Sequence, residues 1–211
     1  MADTNKSGYA AFTFLFRSYI TKWGKMPASH AHVLAICGSL RAASINRTLL
    51  LAAQKIAPEA GLEITLCEGL GTLPIFNPDD EGNEPQSVLD FKNQLRQADG
   101  VLIASPEYAH GVTGAIKNAL DWTVASGEFM SVPVVALNAS GRATIAQAAL
   151  IETIGTMDAT ILHDACLTIA LNGKNYAPDD ILADESTRAP LLRALTMLAA
   201  AIAQKQDENA A

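Results

Sequence analysis

The chain has 211 residues, a length that suits a single domain. Hydrophobic residues make up 49% of it and charged residues 18%, so the composition predicts a sizeable buried core and excludes a globally disordered protein. The formal net charge of −7 at pH 7 argues against a polyanionic partner such as nucleic acid, so any phosphate bound here has to be held by a local site.

The first 31 residues differ in character from the rest of the chain. Their apolar run, Tyr9–Phe16, is too short to span a membrane, which takes about 20 residues, and it lacks the basic flank and cleavage site of a signal peptide. We therefore predict that residues 1–31 are an N-terminal extension outside the core fold, with Met26 as a candidate functional start, and that the protein is cytoplasmic. An organellar targeting segment or a surface helix is the alternative for this extension.

From residue 32 onward, apolar strand patterns alternate with amphipathic helix patterns. The predicted strands are Val33–Cys37, Leu62–Leu66, Gly100–Ala104, Val132–Leu137 and a fifth-strand region, Ala159–Leu162 with Leu167–Leu171, bent at His163-Asp164. The predicted helices are Asn46–Ala60, Gln86–Ala98, Val112–Ser126, Arg142–Met157 and Thr187–Gln204. Loops are predicted at Gly69–Pro85 and Leu171–Ser186, with a frayed tail at Gln206–Ala211. This alternation predicts an α/β domain over residues 32–211, a parallel sheet with helices on both faces.

Three loops that follow predicted strands are the candidates for a binding site. In open doubly wound sheets, ligands bind outside the carboxyl ends of the strands, at the point where the strand order reverses. The loops leaving strands one, three and four are Gly38–Ile45, Ser105–Gly111 and Asn138–Gly141. We therefore expect the binding site to be built from these three loops.

The first loop has the composition of an anion site at a helix start. Free backbone N–H groups and the helix dipole favour an anion there, serine hydroxyls and Asn46 add hydrogen-bonding capacity, and Arg41 adds a charge suited to phosphate. The loop lacks the glycines with which a dinucleotide-binding domain approaches a pyrophosphate, so it favours the terminal phosphate of a mononucleotide. An ordinary strand-to-helix turn with a serine cap is the alternative.

The second loop suits a flat ring. Pro106 stiffens it, Tyr108 offers a planar amphipathic face and Gly111 permits close backbone approach. A planar heteroaromatic ligand bonded by backbone amides fits such a loop. The alternatives are a surface aromatic for Tyr108, a surface or packing histidine for His110 and a solvated carboxylate for Glu107.

The three cysteines, Cys37, Cys67 and Cys166, lie far apart and show no Cys-x-x-Cys spacing. We predict that they are free thiols in or beside buried strands. Cys37 ends the first predicted strand beside the first loop, so a redox or nucleophilic role stays open for it.

Two long motifs carry a resemblance to a known family. The segments Gly38–Asn46 and Ser105–Trp122, in this order and at these strand ends, closely resemble the NADPH-dependent FMN reductase family, which includes quinone, chromate and azo-dye reductases. The resemblance extends over roughly residues 33–170.

The resemblance implies a flavodoxin-like fold, with a doubly wound five-stranded parallel sheet in the order 2-1-3-4-5, that binds FMN. It implies that three loops contact the cofactor: the first loop, the second loop, and the third loop, Asn138–Gly141, with its Ser-Gly pair. The implied cofactor-binding residues are Ser39, Leu40, Arg41, Ser44, Ile45, Asn46, Pro106, Glu107, Tyr108, Ala109, His110, Gly111, Ser140 and Gly141.

Two positions depart from the family pattern. Many members carry asparagine where this chain has Ala109, so only a backbone contact is expected there. The Ser-Gly-Gly that often follows strand four is Ser140-Gly141-Arg142 here. Two roles are open to Arg142: it meets the 2′-phosphate of the nicotinamide cofactor, or it opens the following helix.

The function that the resemblance implies is an FMN-dependent NAD(P)H oxidoreductase. It would pass a hydride from NADPH or NADH through FMN to a quinone, an azo compound, chromate or free flavin, as a homodimer or homotetramer. The cofactor carries this chemistry, so we predict no catalytic side chain and no metal. The alternatives are a flavodoxin-type electron carrier without NAD(P)H activity, a nicotinamide dehydrogenase on a Rossmann sheet, and a regulatory α/β domain that has lost its ligand.

Overall fold

Five parallel strands form one sheet in the computed structural model, which describes residues 30–171 and 176–210. The strands are β1 (Ala31–Cys37), β2 (Leu62–Leu66), β3 (Gly100–Ala104), β4 (Pro133–Leu137) and β5 (Thr160–Ile161). Their order is β2-β1-β3-β4-β5, and each neighbouring pair is parallel. The predicted α/β class, strand number and strand order are confirmed.

Six α-helices accompany the sheet in the described residues. They are α1 (Ile45–Ile56), α2 (Gln86–Arg96), α3 (Gly114–Asp121), α4 (Thr144–Gly155), α5 (Pro178–Ala183) and α6 (Glu185–Ala210). Short 3-10 helices occur at Ala57–Ala60, Leu70–Thr72, Pro78–Asp80 and His163–Ala165.

The strand side chains divide between two cores, one on each face of the sheet. Val33, Leu102 and Val135 pack in one core with residues of α1, α5 and α6. Leu34 and Ile103 pack in the other, with residues of α2, α3 and α4. Because successive strand residues point to opposite faces, a continuous apolar run such as β3 is buried on both sides, as the sequence predicted.

The fifth strand is shorter than predicted and is completed by an isolated bridge. Only Thr160–Ile161 pairs as a regular strand with β4. The chain then makes the 3-10 turn His163–Ala165 and returns beside the end of β4, where Thr168 forms a parallel bridge with Asn138. The predicted bend at His163-Asp164 is therefore the point where one edge strand becomes two short pieces.

The predicted loop Leu171–Ser186 contains helix α5, a difference from the sequence interpretation. Pro178 opens this helix, and Asp180 Oδ2 accepts a hydrogen bond from the Ala177 backbone N–H at 2.8 Å. Proline at the first helical position followed by acidic residues is a helix-start signal that the polar composition of the segment obscured. Similarly, α6 begins at Glu185 and includes most of the predicted tail.

The acidic loop after β2 is held against α3. The Pro74 carbonyl accepts hydrogen bonds from Asn118 Nδ2 at 2.8 Å and from Trp122 Nε1 at 2.9 Å. Asn118 Oδ1 in turn accepts from the Phe76 N–H at 2.8 Å. Trp122 is 2% exposed and belongs to the core. The loop is thus fixed although it contains little regular structure.

The predicted N-terminal extension lies almost wholly outside the described residues and stays a prediction. Of residues 1–31, the structure describes His30 and Ala31, and Ala31 already pairs with β2. Within the described ranges, no helix combines the length and the apolar character needed to cross a bilayer.

Candidate functional site

The register of β1, β3 and β4 places the carboxyl ends of these strands next to one another, so the first, second and third loops begin side by side. Cys37 at the end of β1 lies opposite Ala104 at the end of β3, which in turn lies opposite Leu137 at the end of β4. The loops Gly38–Ile45, Ser105–Gly111 and Asn138–Gly141 therefore leave the same edge of the sheet side by side. The strand order reverses between β1 and β3, where doubly wound folds place their ligands.

Gly38 lets the first and second loops pass in close contact. Its N–H donates to the Ala104 carbonyl at 2.9 Å, and its own carbonyl accepts from Thr113 Oγ1 at 2.6 Å. A Cβ atom on Gly38 would lie 2.2 Å from Ser105 Oγ and 2.6 Å from Ser105 Cβ, well inside contact distance. Thr113 is also the N-cap of α3, so one hydroxyl joins a helix start to the first loop.

The start of α1 offers hydrogen-bond donors to an anion. Ser44 is the N-cap, and its Oγ accepts from the Arg47 N–H at 3.3 Å. Ser44 therefore caps the helix as the sequence allowed. The N–H groups of Ile45 and Asn46, also in the first turn, have no intrahelical acceptor. The first turn of α1 contains no acidic residue. The helix start is thus open to a negatively charged group.

Asn46 carries a buried polar side chain that lacks a protein partner. The residue is 4% exposed, and its Oδ1 makes no hydrogen bond within the described part of the chain. A buried, unsatisfied polar atom costs about 1–3 kcal/mol. Because Oδ1 is an acceptor, a group that completes it has to bring a donor, such as a hydroxyl.

The other predicted residues of the first loop differ in what they present. Ser39 is half-buried and its Oγ accepts from the Arg41 N–H at 3.4 Å. The Arg41 side chain is exposed. The Leu40 side chain leans on the loop after β2, close to Gly71, and the Ile45 side chain packs on a core. Only the backbone groups of Leu40 and Ile45 are therefore candidates for ligand contact.

The second loop closes with a tight turn in the left-handed region. Tyr108 and Gly111 exchange two backbone hydrogen bonds, at 3.1 and 3.0 Å, and the two residues between them have φ angles of 49° and 59°. These residues, Ala109 and His110, are not glycine, so the turn is a strained one. Tyr108, directly before the two left-handed residues, is 58% exposed. Its ring is therefore accessible to solvent or to a ligand. Pro106, half-buried, precedes the turn.

Glu107 is a structural carboxylate and not a solvated one. Its side chain is 12% exposed, its Oε2 accepts from the Ala146 N–H at 2.9 Å, and its Oε1 lies 3.1 Å from His110 Nδ1. Helix α4 has no cap of its own, since its N-cap position is Ala143. The hydrogen bond from Ala146, aided by His110, holds the pKa of Glu107 below its ordinary value. Glu107 therefore caps α4 from the neighbouring loop.

The third loop is shaped by Asn138, which the sequence did not single out. Asn138 is 2% exposed; its Oδ1 accepts from the Ser140 N–H at 2.9 Å and its Nδ2 donates to the Ala143 carbonyl at 3.0 Å. The Arg142 N–H donates to Ser140 Oγ at 3.3 Å. Gly141 is exposed at the tip. These bonds fix the backbone around the predicted Ser140 and Gly141 positions.

Sequence reasoning missed three residues that arrange the site: Gly38, Thr113 and Asn138. The latter two carried usable signals, since threonine before a helix is an N-cap candidate and asparagine at a strand end favours a local side-chain turn. The role of Gly38 depends on its distance from Ser105, which no local pattern encodes.

The cysteines are free, as predicted. Burial, aided by the neighbouring Glu68, raises the pKa of the Cys67 thiol to about 12, and burial also raises the pKa of Cys166. Both thiols are therefore poor nucleophiles at neutral pH. Across the described ranges, no cluster of three or more histidine, cysteine, aspartate or glutamate side chains is arranged to hold a metal.

Comparisons with known proteins point to one family. The family model described as NADPH-dependent FMN reductase matches residues 31–172. The chain is 33% identical over 172 residues to an NAD(P)H-dependent FMN reductase of Pseudomonas aeruginosa, a match covering 79% of this chain and 92% of that protein. It is 44% identical over 94 residues to an NAD(P)H:quinone oxidoreductase of Solanum tuberosum, covering 43% of this chain.

The match with the plant protein takes in 48% of that protein's length, so the chain spans about half of it. Among solved structures, the chain is similar to FerB, a flavoenzyme NAD(P)H:(acceptor) oxidoreductase from Paracoccus denitrificans. The TM-score is 0.68 and the identity 28%, with 82% of this chain and 98% of that chain covered. The family model covers more than half of the chain, and the Pseudomonas aeruginosa relative matches most of both chains, so the chain belongs to the NADPH-dependent FMN reductase family.

Proposed function

We propose that the protein is an FMN-dependent NAD(P)H oxidoreductase whose electron acceptor is a quinone. The observation that carries this proposal is the open start of α1. Two free N–H groups there can donate to a phosphate, and the buried Asn46 Oδ1, which lacks a protein partner in the described part of the chain, can accept from a hydroxyl of the ribityl chain of FMN. Family membership supports the same cofactor. The quinone is favoured over an azo compound, chromate or free flavin because relatives from Solanum tuberosum and Escherichia coli are named as quinone reductases.

The residues present suit a mononucleotide phosphate. The N–H groups of Ile45 and Asn46, the Ser39 hydroxyl and the Arg41 guanidinium are donors, and donors are what a phosphate monoester requires. The absence of an acidic residue from the first turn of α1 removes local repulsion. The phosphate of FMN is thus proposed to bind at the first loop.

The second and third loops suit the ring of the cofactor. The strained turn after Tyr108 follows β3, and Ser140 and Gly141 follow β4, the neighbouring strand. Asn138 fixes the backbone at Ser140. Glu107 ties these two loops together through Ala146. When bound, FMN supplies the hydride chemistry; the protein binds it, orients it and limits its exposure to water. We assign no side chain the role of acid, base or nucleophile.

An absorbance spectrum tests the proposal directly. We expect the purified protein, reconstituted with FMN, to show oxidised-flavin bands that bleach on anaerobic addition of NADPH or NADH and return when a quinone is added. Flavin bands that neither nucleotide bleaches would support the electron-carrier alternative. Failure to retain FMN would support a nicotinamide dehydrogenase or a domain that has lost its ligand.

Replacing Asn46 with leucine separates ligand binding from folding. Since Asn46 Oδ1 is buried without a hydrogen bond in the described part of the chain, Asn46→Leu should leave the urea midpoint of the FMN-free protein unchanged or higher. The same change should raise the Kd for FMN about tenfold, because a polar contact to the cofactor is lost. Equilibrium unfolding and fluorescence titration with FMN measure the two effects. A fall in FMN-free stability with unchanged FMN affinity would contradict the assignment.

We also propose a cytoplasmic homodimer or homotetramer. Large apolar side chains are exposed on or beside the three loops, at Leu40 (63%), Tyr108 (58%) and Ile145 (51%), and burial between subunits would remove them from water. Light scattering during size-exclusion chromatography would refute the assembly if it gave the monomer mass at micromolar concentration.

A further inference from the structure

Arg142 lies directly after the third loop, Asn138–Gly141, and its side chain makes no bond that holds the fold in the described residues. Its exposed side chain forms no ion pair or hydrogen bond with residues 30–171 or 176–210. Helix α4 begins at Thr144 with Ala143 as its N-cap, so Arg142 stands outside the helix. The helix-opening role that the sequence left open for Arg142 is therefore wrong, and its charge needs another explanation.

Hydrogen bonds fix the backbone at Arg142 and at the residue that follows it. The Arg142 N–H donates to Ser140 Oγ, and the next residue, Ala143, has its carbonyl held by Asn138 Nδ2 at 3.0 Å. A guanidinium that starts from a fixed backbone loses less conformational freedom on binding than one on a mobile loop. Arg142 is thus placed to meet a ligand that enters over the third loop.

The neighbouring helix start cannot supply the positive charge for a second anion. Glu107 already accepts from Ala146 at the start of α4, so its carboxylate occupies the end of the helix that would otherwise attract a phosphate. A phosphate approaching this side of the site meets a negative charge at the helix, in a chain whose net charge is −7. A phosphate bound there would need a side-chain cation, and Arg142, directly after the third loop, is exposed and placed to supply it.

We propose that Arg142 binds the 2′-phosphate of NADPH and so makes the enzyme prefer NADPH to NADH. This inference rests on the proposed NAD(P)H activity. The two nucleotides differ only in that phosphate group, and a planar guanidinium forms paired hydrogen bonds with phosphate oxygens. Arg41, on the first loop, is left to the phosphate of FMN.

The test compares Arg142→Gln with the unsubstituted protein, both loaded with FMN. We expect KM for NADPH to rise about tenfold, KM for NADH to stay the same and bound FMN to be retained. Arg142→Lys keeps the charge but not the paired geometry and should lose less NADPH affinity than Arg142→Gln. Arg193→Gln is the matched control, because Arg193 is exposed on α6 and lies outside the three loops.

A binding measurement gives a readout that does not depend on turnover. Calorimetric titration of the FMN-loaded protein with 2′,5′-ADP, which carries the 2′-phosphate, is expected to show binding that weakens about tenfold in Arg142→Gln, whereas 5′-AMP binds both proteins equally. If neither NADPH nor NADH bleaches the flavin, the proposed function fails, but this titration still decides the role of Arg142. Equal affinity of both proteins for 2′,5′-ADP, no binding by either, or equal KM changes for NADPH and NADH would overturn the inference.

Discussion

Gly38→Ala is expected to destabilise the protein by about 2 kcal/mol and to abolish tight FMN binding. The added Cβ would lie 2.2 Å from Ser105 Oγ and 2.6 Å from Ser105 Cβ. Rotation of the serine side chain moves Oγ but not Cβ, so it does not relieve the contact. The first and second loops must then move apart, which disturbs the hydrogen bond from Thr113 to the Gly38 carbonyl. Urea unfolding and FMN titration measure the two losses.

Two further variants show whether this contact is the cause. Ser105→Gly in the Gly38→Ala background removes both the Oγ and the Cβ atoms and should restore much of the lost stability. Gly114→Ala is the matched control, since nothing lies within 4 Å of the position its Cβ would take, and it should be neutral or slightly stabilising. If Gly38→Ala unfolds at the same urea concentration as the unsubstituted protein, the close approach of the two loops is not a constraint.

Glu107→Gln is expected to lower the urea midpoint at neutral pH and to weaken FMN binding, because the charged cap on α4 and the link between the second and third loops are both lost. The folded state lowers the pKa of Glu107, so its contribution is fully present above the ordinary glutamate value of about 4.3. The contribution disappears as the pH falls through the lower folded-state pKa. The unfolding curves of the two proteins should therefore converge at acid pH.

Two controls isolate the role of the carboxylate. Glu152→Gln removes an exposed carboxylate from α4, the helix that Glu107 caps, and should change neither stability nor FMN affinity. His110→Ala removes one partner of Glu107 and leaves the Ala146 bond, so it should have a smaller effect than Glu107→Gln. A stability difference between Glu107→Gln and the unsubstituted protein that is the same from neutral to acid pH would contradict the capping role.

The parts of the fold that the sequence predicts well are those encoded by local pattern. The apolar runs of β1 and β3 and the amphipathic pattern of α1 lead to the observed sheet and its position relative to the first loop. One error falls where pairing between distant segments decides, since the edge region near Thr160 pairs only briefly with β4. The missed helix α5 is a different case: Pro178 and the acidic residues after it are a local helix-start signal, and Ile181 buries the helix against the core.

The candidate site follows the same division. Loop positions at strand ends and the serine cap at Ser44 could be predicted from the sequence alone. The partners of Glu107 could not, since Ala146 lies 39 residues further along the chain. Nor could the unpartnered state of Asn46, because burial without a hydrogen bond is a property of the folded environment. The chemical character of each residue could be predicted from the sequence, whereas the contacts that orient the side chains depend on the folded structure.

The turn at Ala109 and His110 takes its backbone shape from groups other than the Ala109 side chain. Its shape is set by left-handed backbone angles and by the paired hydrogen bonds between Tyr108 and Gly111. The side chain at position 109 can therefore change among residues that tolerate this conformation, such as asparagine, aspartate and glycine, while the backbone of the turn is kept. Position 110 is constrained in addition, because His110 Nδ1 lies 3.1 Å from Glu107 Oε1. If the backbone of this turn contacts the flavin ring as proposed, a library at position 109 should vary acceptor preference at constant FMN affinity.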